Sequence, residues 1–122
     1  MVSTVVWVYI LNSTLLIVHE IDSAYWKEWE LFRLPGEIAG FLAIHLPLVG
    51  LIMYGLIEVF LGSSIGYYIN GVVALGGVFA FSIHTYFIRQ GNPQFKTTAS
   101  QALLYAILVT STVQLYLAYT AW

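Results

Sequence analysis

The stretch GYYINGVVALGGVFAFSIHTYFIR, residues 66–89, decides the fold class of this chain. Nearly all of its residues are apolar or small, and the only charged residue, Arg89, comes at its end. A predominantly apolar stretch of about 20 residues is long enough to cross the ~30 Å hydrocarbon core of a bilayer as a helix. In lipid the backbone groups must be paired within the protein, and a helix pairs them within its own segment. The stretch therefore predicts a transmembrane helix.

Three further stretches of the chain have the same character. The sequence predicts four helices in all, over residues of about 2–22, 36–61, 66–89 and 98–122. The chain is 60% hydrophobic and only 8% charged, whereas a soluble domain carries about 25% charged residues. We therefore expect an all-α integral membrane four-helix bundle that forms a single transmembrane domain over residues 1–122. The first stretch lacks the basic region and cleavage site of a signal peptide, so we expect it to be a retained helix.

The connections between the predicted helices differ in length and character. Residues 23–34, SAYWKEWELFRL, mix tryptophan, leucine and phenylalanine with lysine, glutamate and arginine. This mixture predicts a short amphipathic interfacial helix between helices 1 and 2, with its tryptophans at the level of the lipid head groups. The second connection, residues 62–64, is short enough to require an antiparallel hairpin. The third, residues 90–93, has the composition of a turn.

Orientation is predicted from the basic residues. All of them fall on the side of the first and third connections, namely Lys27, Arg33, Arg89 and Lys96. The positive-inside rule places these basic loops in the cytoplasm and both termini on the non-cytoplasmic side of a multi-pass protein of the cell membrane. The chain has no patch rich in lysine and arginine that could neutralise phosphates, so we expect no nucleic acid as a partner. We expect membrane lipid as its partner.

All three histidines fall in the half of the bundle nearest those basic connections. His19 is near the end of the first helix, and His84 lies about 7 Å inside Arg89 at 1.5 Å per residue. Glu37 opens the second helix, and His45 lies about 12 Å deeper by the same rise. Ionisable groups at membrane depth are costly and are often functional. The sequence therefore places three candidate functional side chains at similar depth on three helices.

Imidazoles together with carboxylates suit a divalent transition metal such as iron, zinc, copper or manganese. Helix bundles hold such ions with ligands from facing helices. The absence of cysteine excludes a thiolate metal site and a disulfide relay. We expect the metal ligands to come from His19, His45, His84, Asp22 and Glu20. Asp22 or Glu37 is the expected catalytic group, as a ligand or a general base.

The alternative interpretation is structural. Polar groups of this kind also serve as hydrogen-bond partners between helices. In that case His84 would bond to a carbonyl, and Glu37 would cap its own helix, where the helix dipole favours an anion. The remaining carboxylates would simply be solvated at the interface, namely Glu20, Asp22, Glu28 and Glu30.

The segment His19-Glu20-Ile21-Asp22-Ser23, followed by Trp26, Glu28 and Trp29, carries a family resemblance. Here the chain resembles small prokaryotic four-helix membrane proteins of unknown function, including the group named for a His-x-x-Glu-Glu motif. In that group the motif ends the first helix, and further histidines lie in later spans. Asp22 and Ser23 stand where the group has its two glutamates, so this chain has one carboxylate fewer for a two-metal site. The resemblance implies a fold and no particular reaction.

Three functions fit these observations. The first is a metal-dependent membrane enzyme, a hydrolase or oxidoreductase, acting on a lipid or other hydrophobic substrate that enters from the cytoplasmic leaflet. The second is a haem-binding electron carrier with two histidines from facing helices as axial ligands. The third is a non-enzymatic transporter protomer or accessory subunit. It would work as a homo-oligomer or within a larger membrane complex, because four helices leave little room for a pore. We favour the first.

Overall fold

A computed structural model describes residues 1–122 as five helices and no strands. Four of the helices are long and apolar enough to cross a membrane: α1 (Thr4–Tyr25), α3 (Glu37–Phe60), α4 (Ser64–Arg89) and α5 (Thr98–Thr120). The fifth, α2 (Glu28–Leu31), is a single turn within the first connection. The predicted all-α four-helix bundle is confirmed, and the chain is a multi-pass membrane protein.

Local side-chain caps set where two of the spans begin. The hydroxyl of Ser63 accepts a hydrogen bond from the backbone N–H of Gly66 at 2.9 Å, at the start of α4. Thr97 does the same for the N–H of Ser100 at 3.1 Å, at the start of α5. Such caps satisfy backbone donors that have no partner within the helix. Both turns therefore end where the sequence supplies a hydroxyl.

The spans form a ring in which sequence neighbours pack against each other and α5 closes against α1. Asn12 of α1 donates to Gln114 of α5 at 2.7 Å, whereas Trp26, just beyond the end of α1, donates to Ser100 at 3.3 Å. Residue numbers thus run in opposite directions along this pair, so the two helices are antiparallel. The end of α1, the start of α3, the end of α4 and the start of α5 therefore meet at one end of the bundle.

The half of the bundle near the termini has a packed core with a polar network inside it. Tyr9 and Ile107 are among the buried side chains of the apolar part. In the network, Asn12 bonds to Ser111 at 3.0 Å, and Gln114 donates to the side-chain oxygen of Asn70 at 2.8 Å. In a membrane such bonds between helices contribute about 0.6–2 kcal/mol each. They join α1, α4 and α5 at one level.

The first connection is more compact than its composition predicts. α1 continues to Tyr25, and the expected helix over residues 23–34 is limited to the single turn α2. Lys27 has a left-handed backbone, with φ of 54°, and this turns the chain back under the bundle. Trp29 is consequently buried against the bundle, with its ring 5.8 Å from that of Phe41. Burial of its apolar surface stabilises the turn.

Gly77 allows α4 and α5 to approach closely. A methyl group at this position would collide with Ser111 and press on Ile107. We predict that Gly77→Ala destabilises the protein by about 1–3 kcal/mol, because a packed interface resists added volume. The melting temperature in detergent, followed by circular dichroism, measures the effect.

Gly71→Ala is the matched control, since a methyl group at Gly71 in the same helix meets no atom within 4 Å. Its melting temperature should equal or exceed that of the wild type, because alanine favours a helix by up to about 1 kcal/mol over glycine. Equal losses in both variants would contradict the close packing at Gly77.

Candidate metal centre

Three side chains from three helices converge at the end of the bundle that holds α2. His19 of α1, Glu28 of α2 and His84 of α4 each offer one ligand atom, and these atoms all lie within 4.8 Å of one another. His19 is 1% and His84 3% exposed. Metal–ligand bonds are about 2.0–2.2 Å long, so small side-chain rotations would bring the three atoms around one ion. We call His19, Glu28 and His84 the triad.

The tautomer of His84 follows from its partners. Its Nδ1 atom lies 2.7 Å from the carbonyl oxygen of Ala80. A carbonyl only accepts, so Nδ1 carries a proton and donates it. In the neutral ring Nε2 then holds a lone pair, and it faces the Oε2 atom of Glu28 at 3.3 Å. Two acceptors that face each other need a proton or a cation between them. Metal-binding histidines are commonly oriented by a carbonyl in this way.

His19 has an unsatisfied ring nitrogen. Its Nε2 atom lies 3.5 Å from the hydroxyl oxygen of Ser23. Its Nδ1 atom is buried and has no protein hydrogen-bond partner. The ring stands edge-on to that of His84, with 4.7 Å between ring centroids. Buried polar atoms without partners are rare and cost free energy, so His19 offers a second nitrogen that a cation would satisfy.

Glu28 supplies the negative charge of the triad. Burial raises the pKa of its carboxyl, but hydrogen bonds from Ser23 and from His84 when its ring is protonated, together with the positive charge of protonated imidazoles nearby, outweigh burial. The net result is a pKa below the ordinary value for glutamate. The side chain is therefore an anionic oxygen ligand at neutral pH, although only 12% of it is exposed.

His45 and Glu20 form a second pair beside the triad. The Nε2 atom of His45 lies 2.5 Å from Oε2 of Glu20, and its Nδ1 atom donates to the carbonyl of Phe41 at 2.7 Å. This repeats the arrangement of His84. Both residues line the same cavity as the triad, but their side chains contact each other. His45 is therefore next to the triad rather than part of it.

Aromatic side chains wall off the triad. Phe95 is 1% exposed, and its ring centroid lies 4.3 Å from that of His84 and 5.7 Å from that of His19. Phe32 packs edge-on to His84 at 6.0 Å. Exclusion of water lowers the local dielectric constant and strengthens the electrostatic interactions inside. Phe95 also has a left-handed backbone, with φ of 66°, a strained conformation of a kind that clusters at functional sites.

Two of the predicted site residues lie elsewhere. The Oδ1 atom of Asp22 accepts a hydrogen bond from the indole of Trp26 at 3.0 Å, so this oxygen is engaged one turn beyond His19. Glu37 is exposed in the first turn of α3, and no side chain caps this helix with a hydrogen bond. Neither lines the cavity that the triad shares with Glu20 and His45.

Glu28 is the triad member that sequence reasoning missed, since it was assigned to the solvated carboxylates. No helical spacing connects it to His19, because the left-handed residue Lys27 separates α1 from α2. The only available signal was its position between Trp26 and Trp29, in a connection rich in aromatic residues.

A family model described as a family of unknown function, DUF6713, matches residues 5–121. The chain belongs to this family. The match to DUF6713 takes in the triad and nearly the whole length of all four spans. No curated protein and no solved structure matches the chain. The narrower resemblance to the His-x-x-Glu-Glu group stays a prediction.

Removal of one aromatic wall should expose the triad of this DUF6713 protein. We predict that Phe95→Ala speeds the reaction of His19 and His84 with diethyl pyrocarbonate several-fold, because their rings lose the cover of the phenyl group. Mass spectrometry of peptides after timed reaction measures each histidine separately. The reactivity of His45, which does not pack against Phe95, should not change.

Phe60→Ala removes an exposed aromatic ring at the far end of α3, which does not line the cavity shared by the triad, and serves as the control. It should leave the reactivity of His19 and His84 unchanged. If His19 and His84 of the wild type reacted as fast as in Phe95→Ala, the packing of Phe95 against the two histidines would be refuted.

Proposed function

We propose that the protein is a membrane-embedded metal-binding protein that holds one divalent transition metal through His19, Glu28 and His84. The observation that carries this proposal is the approach of three buried ligand atoms to within 4.8 Å of one another. Two imidazoles and one carboxylate are a donor set suited to iron, zinc, copper or manganese. The unpaired Nδ1 of His19 and the opposed acceptors of His84 and Glu28 support a cation rather than a purely structural group.

We further propose that the metal serves a reaction on a lipid or other hydrophobic substrate. Three protein ligands leave a coordination position open, as in catalytic zinc sites. The triad lines a mostly apolar cavity of about 380 Å³, which Glu20 and His45 also line. A metal in this position would polarise a substrate oxygen or lower the pKa of a bound water. Glu20 and His45, which line the same cavity, are groups that could hold the proton released.

The other two functions receive less support from the geometry. A porphyrin held by two histidines needs a flat slot between them. The rings of His19 and His84 are 4.7 Å apart at 90°, and Phe95 packs against both. A transporter protomer or accessory subunit would not require the triad to bind metal, so metal content separates this function from the proposed one.

Metal content is the decisive measurement. Protein purified without chelators and without a polyhistidine tag should contain one transition metal ion per chain by elemental analysis. His19→Ala, His84→Ala and Glu28→Gln should each reduce it to background, because each removes a ligand from a site that has only three. Circular dichroism in detergent checks that the variants remain folded.

Asp22→Asn and Glu37→Gln are the matched controls, since both remove carboxylates that lie outside the triad. They should retain the metal. Wild-type protein that takes up no Zn²⁺, Mn²⁺ or Fe²⁺ after reconstitution would refute the proposal, as would equal metal content in all five variants.

We place the triad near the cytoplasmic leaflet, with both termini on the other side, because all four basic residues are at the triad end of the bundle. The chain has no cysteine, so a single introduced cysteine reports one site. A membrane-impermeant maleimide applied to intact cells should label Ala121→Cys and leave Gln90→Cys unlabelled. The reverse pattern would invert the proposed orientation.

A further inference from the structure

The cavity beside the triad is polar at one end and apolar along the rest. The polar end consists of His19, Glu20, Glu28, His45 and His84. Leucine, isoleucine and valine side chains from α1, α3 and α4 form most of the remaining wall. On α3 the lining extends from His45 to Ile52, about 10 Å at 1.5 Å per residue. The cavity is thus an elongated apolar space with its reactive groups at one end.

The cavity exists because α3 contacts the bundle mainly near its two ends. Its buried residues are Phe41 near one end and Gly55 and Val59 near the other. Gly55 lies directly against Tyr9. The middle of α3, represented by Leu48, lines the cavity and is not buried in the core. The cavity therefore results from the packing of α3 against the bundle mainly near the two ends of the helix.

The mouth of the cavity opens toward lipid. Several of its lining residues are also well exposed on the outer surface, among them Leu48 at 48%, Val72 at 57% and Phe79 at 64%. These residues come from α3 and α4, so the opening lies between those two helices. A molecule entering there comes from the hydrocarbon region of the bilayer rather than from water.

Gly76 provides room in the wall of the cavity. It lines the cavity from α4, and a methyl group built on it meets no atom within 4 Å. A larger side chain would occupy the cavity without disturbing a helix contact. Gly71, on the same helix, also has open space around it but does not line the cavity.

We propose that this cavity binds a single-chain amphiphile with a small uncharged oxygen head, of the class of long-chain primary alcohols and aldehydes. The head lies among Glu20, His45 and the triad, the apolar walls take the part of the hydrocarbon chain next to it, and the rest of a long chain extends through the mouth into lipid. Phe32 and Glu28 of α2 line the polar end, so the head group lies against protein rather than in open water. The placement of the head against a metal rests on the proposed function.

The charges at the polar end favour an uncharged head. Glu20 and Glu28 are both present there, and one divalent cation would balance them. A carboxylate or phosphate head would add an unbalanced negative charge in a low-dielectric site, which is costly. A hydroxyl can donate to a carboxylate while its oxygen remains available to a metal.

The test uses an analogue of hexadecanol that carries a diazirine in mid-chain and a terminal alkyne. After irradiation with the purified protein in lipid nanodiscs, peptide mass spectrometry should find adducts on the cavity-lining parts of α3 and α4. Excess hexadecanol should compete. Gly76→Leu should reduce this labelling at least about tenfold, because added methylenes in an apolar pocket exclude a ligand strongly. Gly71→Leu should label like the wild type.

Leu48→Trp fills the cavity from the opposite wall and should reduce labelling in the same way, so the test does not depend on one variant. Labelling of both cavity variants at the wild-type level would overturn the inference. Equal, Gly76-dependent labelling by the matching hexadecanoic acid analogue would overturn the assignment of an uncharged head.

Metal content measured on the same samples separates this inference from the proposed function. Gly76→Leu should keep its metal while it loses labelling. If the wild type held no metal but showed labelling that depends on Gly76, the cavity assignment would stand and the metal proposal would fall. If metal were bound and Gly76→Leu were labelled like the wild type, the metal proposal would stand and the cavity assignment would fall.

Discussion

Polar side chains within hydrocarbon have no water to bind, so each must find its partner inside the protein. Near the termini Asn12 and Gln114 largely meet this requirement through bonds that join three spans. At the other end it is not met. His19 keeps a buried nitrogen without a partner, and the facing atoms of His84 and Glu28 need a proton or a cation between them. Buried polar atoms without a hydrogen-bond partner also occur at Ser13, Asn70 and Asp22, but at the triad ligand atoms from three helices also converge to within 4.8 Å of one another.

Backbone strain borders the triad on two sides. Lys27 and Phe95 have left-handed backbones without being glycine, and each such residue costs about 1–3 kcal/mol unless the surrounding structure holds it. The first turns Glu28 under the bundle, and the second places an aromatic ring against both histidines. Packing of Trp29 and Phe95 offsets this cost. Arg33 and Glu37 have left-handed backbones as well, so such conformations recur in the connections at this end of the bundle, and two of them position elements that complete the triad.

The fold could be read from the sequence because span length and hydropathy are properties of each segment alone. The depth of His19, His45 and His84 followed from alternating helix direction and a constant rise. The sequence did not predict which of these histidines come into contact, because this depends on the rotation of each helix about its axis. His45 pairs with Glu20, whereas His84 reaches Glu28. The position of Glu28 depends on one backbone dihedral angle at Lys27. The amphipathic pattern of its segment indicated instead that its side chain faces water.

The apolar cavity connects the membrane environment to the triad. In a water-soluble protein a void lined by Leu48, Val72 and similar side chains would either collapse or reduce stability in proportion to its volume. In a bilayer the opening between α3 and α4 lets hydrocarbon fill the space, so α3 can remain separated from the bundle without that loss. Close packing of α3 along its whole length would remove the route from lipid to His19 and His84. The loose middle of this helix and the buried polar groups at the end of the cavity are therefore parts of one arrangement, and in the proposed function the bilayer supplies both the solvent and the ligand.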